Sequence, residues 1–332
     1  MFYTRKCGEI KESDFGSEQT LCGWLQDTRN LGGIAFLQLR DITGVIQLTL
    51  LKKKLDADDY KKWTNINRES IVLVRGIVKE NKEAPGGVEM LPDNLEILNE
   101  AETPLPLGVI DKIDSEIETR LNARYLDLRK SEIAANFQIR AAVSGAVHKH
   151  LRREKFLEVQ TPKIIASATE GGTSLFEMKY FDKTAYLAQS PQLYKQMLMG
   201  GGLERVYEIG PAFRAEEHNT PRHLNEFISI DIEMSFADDD VVMGVMERLV
   251  DSAARAVGKE TEALETLGIE PIELELPLPR ITYDEAVEMS NGKAEWGEDL
   301  SMEATREIAQ QMNGFYFITK WPLSLKPFYI LP

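Results

Sequence analysis

Between Phe227 and Met234 the chain alternates strictly: Ile228, Ile230, Ile232 and Met234 are apolar, and Ser229, Asp231 and Glu233 between them are polar. A period of two predicts a strand with one apolar and one polar face. Upstream, Tyr207, Ile209 and Phe213 share one parity, and Glu208, Arg214 and Glu216 the other. A second strand, antiparallel to the first, is expected there, with Pro211 forcing an edge or a bulge. Residues 21–29, 33–41, 44–50, 70–79 and 87–98 are five further β-rich runs, with a helical insert near 56–63. Ala35, Leu37 and Leu39 fall on one face, opposite Ile34, Phe36, Gln38 and Arg40; Ile46, Leu48 and Leu50 likewise oppose Val45, Gln47 and Thr49. Residues 119–129 and 131–155 read as helices, the second with Ile139, Val143, Val147 and Leu151 as an apolar stripe. A strand at 156–162 ends at Pro162. Residues 186–196 run from strand into helix, with Pro191 as a first-turn residue.

Five strands and one helix suit a small barrel of the oligonucleotide-binding type. The fold class is therefore α+β. Residues 1–99 form the barrel, 100–130 a linker holding Pro104 and Pro106, and 131–332 a domain built on an antiparallel sheet flanked by helices. At 43% hydrophobic residues the chain can bury a sizeable core. It has no apolar run of membrane-spanning length and no signal peptide after Met1, and a cytoplasmic protein is expected. Cys7 and Cys22 lack metal-ligand spacing and the density of a disulfide scaffold, so both read as reduced thiols. Net charge is −15, from 39 basic and 54 acidic residues. That balance argues against indiscriminate nucleic-acid binding and leaves room for a local, base-reading site.

The candidate chemistry lies in three places. The paired strands send Arg214, Glu216, Arg222, His223, Asp231 and Glu233 toward one side, either as a solvated face of ion pairs or as an anion site beside an acidic one. Gln192 and Lys195, three apart, point one way from the first turns of a helix. Phe36 and Gln47 lie on the more polar faces of the barrel strands, where they either pack or meet unpaired bases.

Phe213-Arg214-Ala215-Glu216, a loop, Arg222-His223-Leu224-Asn225-Glu226-Phe227, then Asp231 and Glu233 resemble motif 2 of class II aminoacyl-tRNA synthetases. More narrowly they resemble the aspartyl-tRNA synthetases of archaeal and eukaryotic type. Trp24, Leu31-Gly32-Gly33, Phe36, Leu39-Arg40-Asp41 and Gly44-Val45-Ile46-Gln47 resemble the anticodon-binding barrel of the same family. The resemblance implies an enzyme that activates L-aspartate with ATP and transfers it to tRNA-Asp. Arg214 would hold the α-phosphate and contact the substrate. Glu216 and Phe227 would hold adenine, and Arg222 and His223, with Leu224 beside them, would complete the ATP site. Glu170, in the glycine-bearing loop 167–173, would take the substrate ammonium; Lys195, with Gln192 beside it, would take the side-chain carboxylate.

In the barrel, Arg29, Phe36 and Gln47 would bind the anticodon, Phe36 by stacking and Gln47 by reading the central uridine. Strict archaeal relatives carry a tryptophan and a lysine at the positions of Gln26 and Pro85. The smaller amide and uncharged ring here imply a relaxed enzyme that also charges tRNA-Asn. The helix and strand ending at Pro162 resemble motif 1 and imply a homodimer. Family members continue past Pro332 with the acidic Mg2+ ligands and the glycine-rich motif 3. The expectation is thus a truncated, inactive fragment of a synthetase, with no metal ligands inside it. The rivals are an asparaginyl enzyme, disfavoured by Lys195, and a non-catalytic tRNA-binding paralogue.

Overall fold

The computed structural model describes residues 2–110, 115–166, 175–215, 224–312, 314–327 and 329–330. The chain divides into two compact units, Met1–Lys130 and Ser131–Pro332.

In the first unit, β1 (Glu18–Asn30), β2 (Ile34–Asp41), β3 (Gly44–Leu51), β4 (Ile71–Glu80) and β5 (Val88–Asn99) close a barrel in the order β1-β2-β3-β5-β4. The two-residue period decides the core. Leu21, Leu25, Ala35, Leu37, Leu39, Ile46, Leu48 and Leu50 are all buried inside it. Helix α1 (Ala57–Trp63), N-capped by the Asp56 side chain, adds Tyr60 and Trp63 to the same cluster. Gly23 lets β1 approach β2 closely: a Cβ there would lie 2.3 Å from the Arg40 carbonyl oxygen. The expected helix at 119–129 is instead two short ones, α2 (Ile117–Asn122) and α3 (Arg124–Asp127). They part at Ala123 (φ −111°, ψ 39°), where the buried Asp127 carboxylate folds Arg120 and Arg124 back onto itself. Cys7 and Cys22 are both free.

The second unit opens with α4 (Ser131–Arg153), followed by the short strands β6 (Leu157–Glu158) and β7 (Ile164–Ile165), the hairpin β8 (Glu177–Tyr180) and β9 (Lys183–Leu187), and α5 (Gln192–Gly200). β10 (Arg205–Phe213) and β11 (Glu226–Met234) then form an antiparallel pair, and β6 joins the other side of β10 in parallel. The strand expected at 156–162 is thus paired over two residues only. β6 pairs only with Val206 and Tyr207, so no described strand pairs with the other side of β10 at Pro211. Of the edge or bulge expected there, no bulge forms, and the register runs unbroken opposite Ile228. The reason is parity. Tyr207 and Phe213 turn their backbone groups away from β11, to Val159 N and to Ala188 O, so the N–H that proline lacks is not part of the β10–β11 ladder. α4 and α6 (Asp239–Val257) cover part of the apolar face, with Val147, Leu151, Phe156, Tyr207 and Val245 buried and Ile209, Ile232 and Met234 packed on them, while Ile228 and Ile230 stay nearly half exposed. Beyond lie α7 (Thr261–Leu267), the parallel pair β12 (Arg280–Thr282) and β13 (Phe317–Thr319), and between these α8 (Tyr283–Met289) and α9 (Met302–Met312).

Candidate functional site

The other, polar face of the β10–β11 pair carries the first set of functional side chains. Glu208 opposes Asp231 and Gly210 opposes Ser229, so one face gathers Glu208, Ser229, Asp231 and Glu233. Glu208 is buried and accepts from Thr161 N, Thr161 Oγ1 and Lys163 Nζ at 2.7–3.0 Å, fastening the chain after β6 to β10. Lys195 descends from α5 onto this face. A lone helical lysine is usually solvated, but this one is 5% exposed. Its Nζ donates to Asp231 Oδ1 and to the Ile232 carbonyl, each at 3.1 Å, and faces Glu233 Oε2 at 3.5 Å. Ser229 Oγ donates to the other Asp231 oxygen at 2.5 Å. Gln192 lies half-buried one turn before Lys195; Pro191 is the N-cap residue of α5 rather than its first turn.

Arg214 prolongs β10, its N–H donating to Asn225 O at 3.0 Å. Its guanidinium stands 5.5 Å from the centroid of the Phe227 ring. Its Nε is shielded from solvent with no acceptor among the described residues. A buried donor left open in this way suits an anion. Leu224 is exposed. Glu170, Glu216, Arg222 and His223 lie outside the described residues. Among the described residues no three His, Cys, Asp or Glu side chains gather to hold a metal, and Asp231 and Glu233 are engaged by Lys195. The described residues do not offer a Mg2+ site.

The second set lines a groove of about 730 Å³ on the barrel. Phe36 is flanked in register by Arg29 on β1 and Thr49 on β3, and Gln38 stands directly opposite Gln47. All five line the groove, together with Asp27, Lys79, Asn81, Glu83 and Glu89. Glu89 is buried beneath it. One oxygen accepts from Thr49 Oγ1 (2.6 Å), Asn81 Nδ2 (2.8 Å) and Gln47 Nε2 (3.2 Å), and the other pairs with Lys79 Nζ at 2.7 Å. Burial works against its ionisation, but the bonds from Lys79, Thr49 and Asn81 prevail and hold the carboxyl below the usual glutamate range.

Gln26 and Pro85 do not meet at one point. Pro85 begins an exposed turn between β4 and β5, just after Asn81 and Glu83 of the groove. Gln26 is the extra residue of a β-bulge, since Leu25 pairs with Leu39 and Asp27 already with Gln38. It accepts from Arg40 Nη1 and donates to Gln38 Oε1, both at 3.1 Å, so it reaches the groove through Gln38. Sequence reasoning passed over Gln38 and Glu89. Gln38 had a signal, because it shares the parity of Phe36. Glu89 had none, since its partners come from β3, β4 and the turn after β4.

Two family models match the chain: tRNA synthetases class II (D, K and N) over residues 116–331, and the OB-fold nucleic acid binding domain over residues 19–98. The chain is 51% identical over 330 residues to the aspartate–tRNA(Asp/Asn) ligase of Archaeoglobus fulgidus, covering 98% of this chain and 76% of that protein. It is 47% identical to the aspartate–tRNA(Asp) ligase of Thermoplasma acidophilum, covering 97% and 76%. Among solved structures, the asparaginyl-tRNA synthetase of Pyrococcus horikoshii with asparaginyl-adenylate superposes with a TM-score of 0.91 at 32% identity, over 100% of this chain and 77% of that one. An OB-fold barrel followed by this domain, matched over most of its length, makes the chain a member of the class II tRNA synthetases of the D, K and N group.

Proposed function

We propose that this chain is the anticodon-binding and amino-acid-activating part of an aspartate–tRNA ligase that charges both tRNA-Asp and tRNA-Asn, in the cytoplasm, as a homodimer. The observation that carries the choice of amino acid is Lys195. Two of its three N–H groups are held at 3.1 Å, while the third faces Glu233 at 3.5 Å, beyond an ordinary N–H···O bond. A substrate side-chain carboxylate would take over this longer contact from Glu233. Asparagine's neutral amide gains far less from a buried ammonium. The aspartate-ligase relatives at 47–51% identity support the same choice over the asparaginyl enzyme.

In the reaction, the α-carboxylate of aspartate attacks the α-phosphorus of ATP and pyrophosphate leaves. A terminal ribose hydroxyl of tRNA then takes the aminoacyl group and AMP leaves. Alignment of attacking and leaving oxygens and cancellation of phosphate charge are what the protein supplies. Arg214 supplies that cancellation on this reading; its buried, unpartnered Nε and the Phe227 ring 5.5 Å from its guanidinium support a role in which Arg214 meets the α-phosphate and Phe227 stacks on adenine. Gln192 joins Lys195 at the aspartate, and Glu170 takes its ammonium. Glu216, Arg222 and His223, with Leu224, complete the ATP site. Arg29, Phe36 and Gln47 hold the anticodon, and Gln26 and Pro85 relax the choice of its third base. The helix α4 and the segment 156–162, where Leu157 is 53% exposed, are the dimer surface.

Because the chain spans about three quarters of its relatives, the test uses a protein carrying it at their full length. Aspartate-dependent ATP–pyrophosphate exchange is measured against asparagine. Exchange with aspartate alone is expected; exchange driven by asparagine would refute the assignment.

A further inference from the structure

Two amides on the barrel groove are locked in opposite senses, and the locks can be read from groups whose hydrogen-bonding sense is chemically fixed. Glu89, held ionised by its donors, only accepts. Gln47 must therefore turn its Nε2 toward Glu89 and Thr49, at 3.2 and 3.3 Å, which leaves its Oε1 for the groove. Arg40 only donates, so the bond from Arg40 Nη1 fixes Gln26 with its Oε1 toward Arg40. The Gln26 Nε2 then donates to Gln38, which must answer with Oε1 and keeps its NH2 for the groove. Arg40 is itself anchored by Glu69, at 2.8 and 3.0 Å. Gln38 and Gln47 are direct cross-strand partners, with Cβ atoms about 5 Å apart in such pairs. Side by side they present one donor and one acceptor.

We infer that Gln38 is a second base-reading residue of the anticodon site, which together with Gln47 selects a base whose edge carries a keto oxygen beside a ring N–H. This rests on the anticodon reading of the groove proposed above. At the central position that base is uridine. Its N3–H donates to Gln47 Oε1, and its O4 accepts from the Gln38 amide. Cytidine reverses both groups, offering an amino donor to the Gln38 donor and an unprotonated N3 to the Gln47 acceptor. Rejection therefore comes from two facing mismatches, each leaving desolvated groups unpaired. Gln26 acts as a positioning residue: it touches Gln38 rather than the base and fixes which end of that amide faces the RNA. Its place at a bulge is what aims it there.

The test is binding of the 332-residue chain to two anticodon stem-loop RNAs that differ only in the central base, uridine against cytidine, by fluorescence anisotropy at fixed salt. The unaltered chain should prefer uridine. Gln38→Leu should reduce that preference by roughly tenfold, the weight of one hydrogen bond. Gln38→Glu, nearly isosteric and unable to donate when ionised, should reduce it at least as much. Gln26→Met should reduce it by a smaller factor, by letting the Gln38 amide turn. Undiminished preference in both Gln38 variants, with Gln47→Leu losing it, would overturn the role of Gln38 and leave the anticodon reading standing. Equal affinity of the unaltered chain for both loops, with no loss on Phe36→Ala, would overturn the anticodon reading and this inference with it.

Discussion

Glu89→Gln should weaken both the barrel and its reading of RNA. The carboxylate takes four donors: Lys79, Thr49, Asn81 and Gln47. A glutamine at that position has one oxygen and one NH2, so at least one of the four faces a donor. Lys79 is 47% exposed and can swing into water, so its loss costs little. The Thr49, Asn81 and Gln47 bonds lose their charge assistance, and each declines from the charged toward the neutral range. Summed and discounted for relaxation, the barrel loses about 2–3 kcal/mol. Hydrogen exchange of β3 and β5 amides, followed by mass spectrometry, isolates the barrel from the second unit. Exchange through barrel opening should quicken by about 30–150-fold at pH 7.

The effect has a defined pH dependence. The folded carboxyl is held below the ordinary 4.5, so its stabilisation is complete above that value and is lost as pH falls through the lower folded value. The difference between the unaltered chain and the variant should therefore be full at pH 7 and narrow below about pH 4.5. A variant within about 0.5 kcal/mol of the unaltered chain at pH 7 would refute the reasoning, because three bonds to a buried charge cannot disappear unnoticed.

In a full-length protein, Arg214→Ala should lower adenylate formation by about 10²–10³, or about 3–4 kcal/mol. A loss of only a few-fold in pyrophosphate exchange would exclude Arg214 from the phosphate site. Phe36→Ala should weaken stem-loop binding by about 1–3 kcal/mol, one lost base stack, and leave tRNA-independent exchange unchanged. Equal losses in both assays would make Phe36 a packing residue. Lys195→Met leaves Asp231 and Glu233 without their shared cation; with both carboxylates about one fifth exposed, about 2–3 kcal/mol of stability should be lost, below the range for fully buried pairs. Its melting temperature should fall by about 5–10 °C, and an unchanged value would mean that the pair adds nothing.

Much of the fold was legible because the barrel strands and the β10–β11 pair obey a two-residue period. Ala35, Leu37 and Leu39, and Ile46, Leu48 and Leu50, announced the barrel interior, and the strand bounds follow within a few residues. Phase slips were not legible. Gln26 sits in the polar run 26–29, where an inserted bulge residue leaves no apolar residue out of step. Ala123, a strong helix former, gives no warning of the break between α2 and α3, because Asp127 imposes it from farther along the chain. Pro211 left edge and bulge both open, since its cost depends on which side of β10 its missing N–H faces, and only the pairing of Tyr207 and Phe213 reveals that. Gln192 and Lys195 were placed together by helical spacing, but the burial of Lys195 depends on two carboxylates 36 and 38 residues further on. Such long-range partners carry no local signature.

Charging assays with labelled aspartate and labelled asparagine, on purified tRNA-Asp and tRNA-Asn, test the functional assignment most directly. The protein used carries this chain at the full length of its relatives. Aspartate should be joined to both tRNAs with catalytic efficiencies within about one to two orders of magnitude, and Gln26→Trp should shift the balance toward tRNA-Asp. Attachment of asparagine in place of aspartate would contradict the Lys195 assignment. A preference for tRNA-Asp of roughly several hundred-fold would contradict the relaxed reading of the third anticodon base and leave aspartate activation intact.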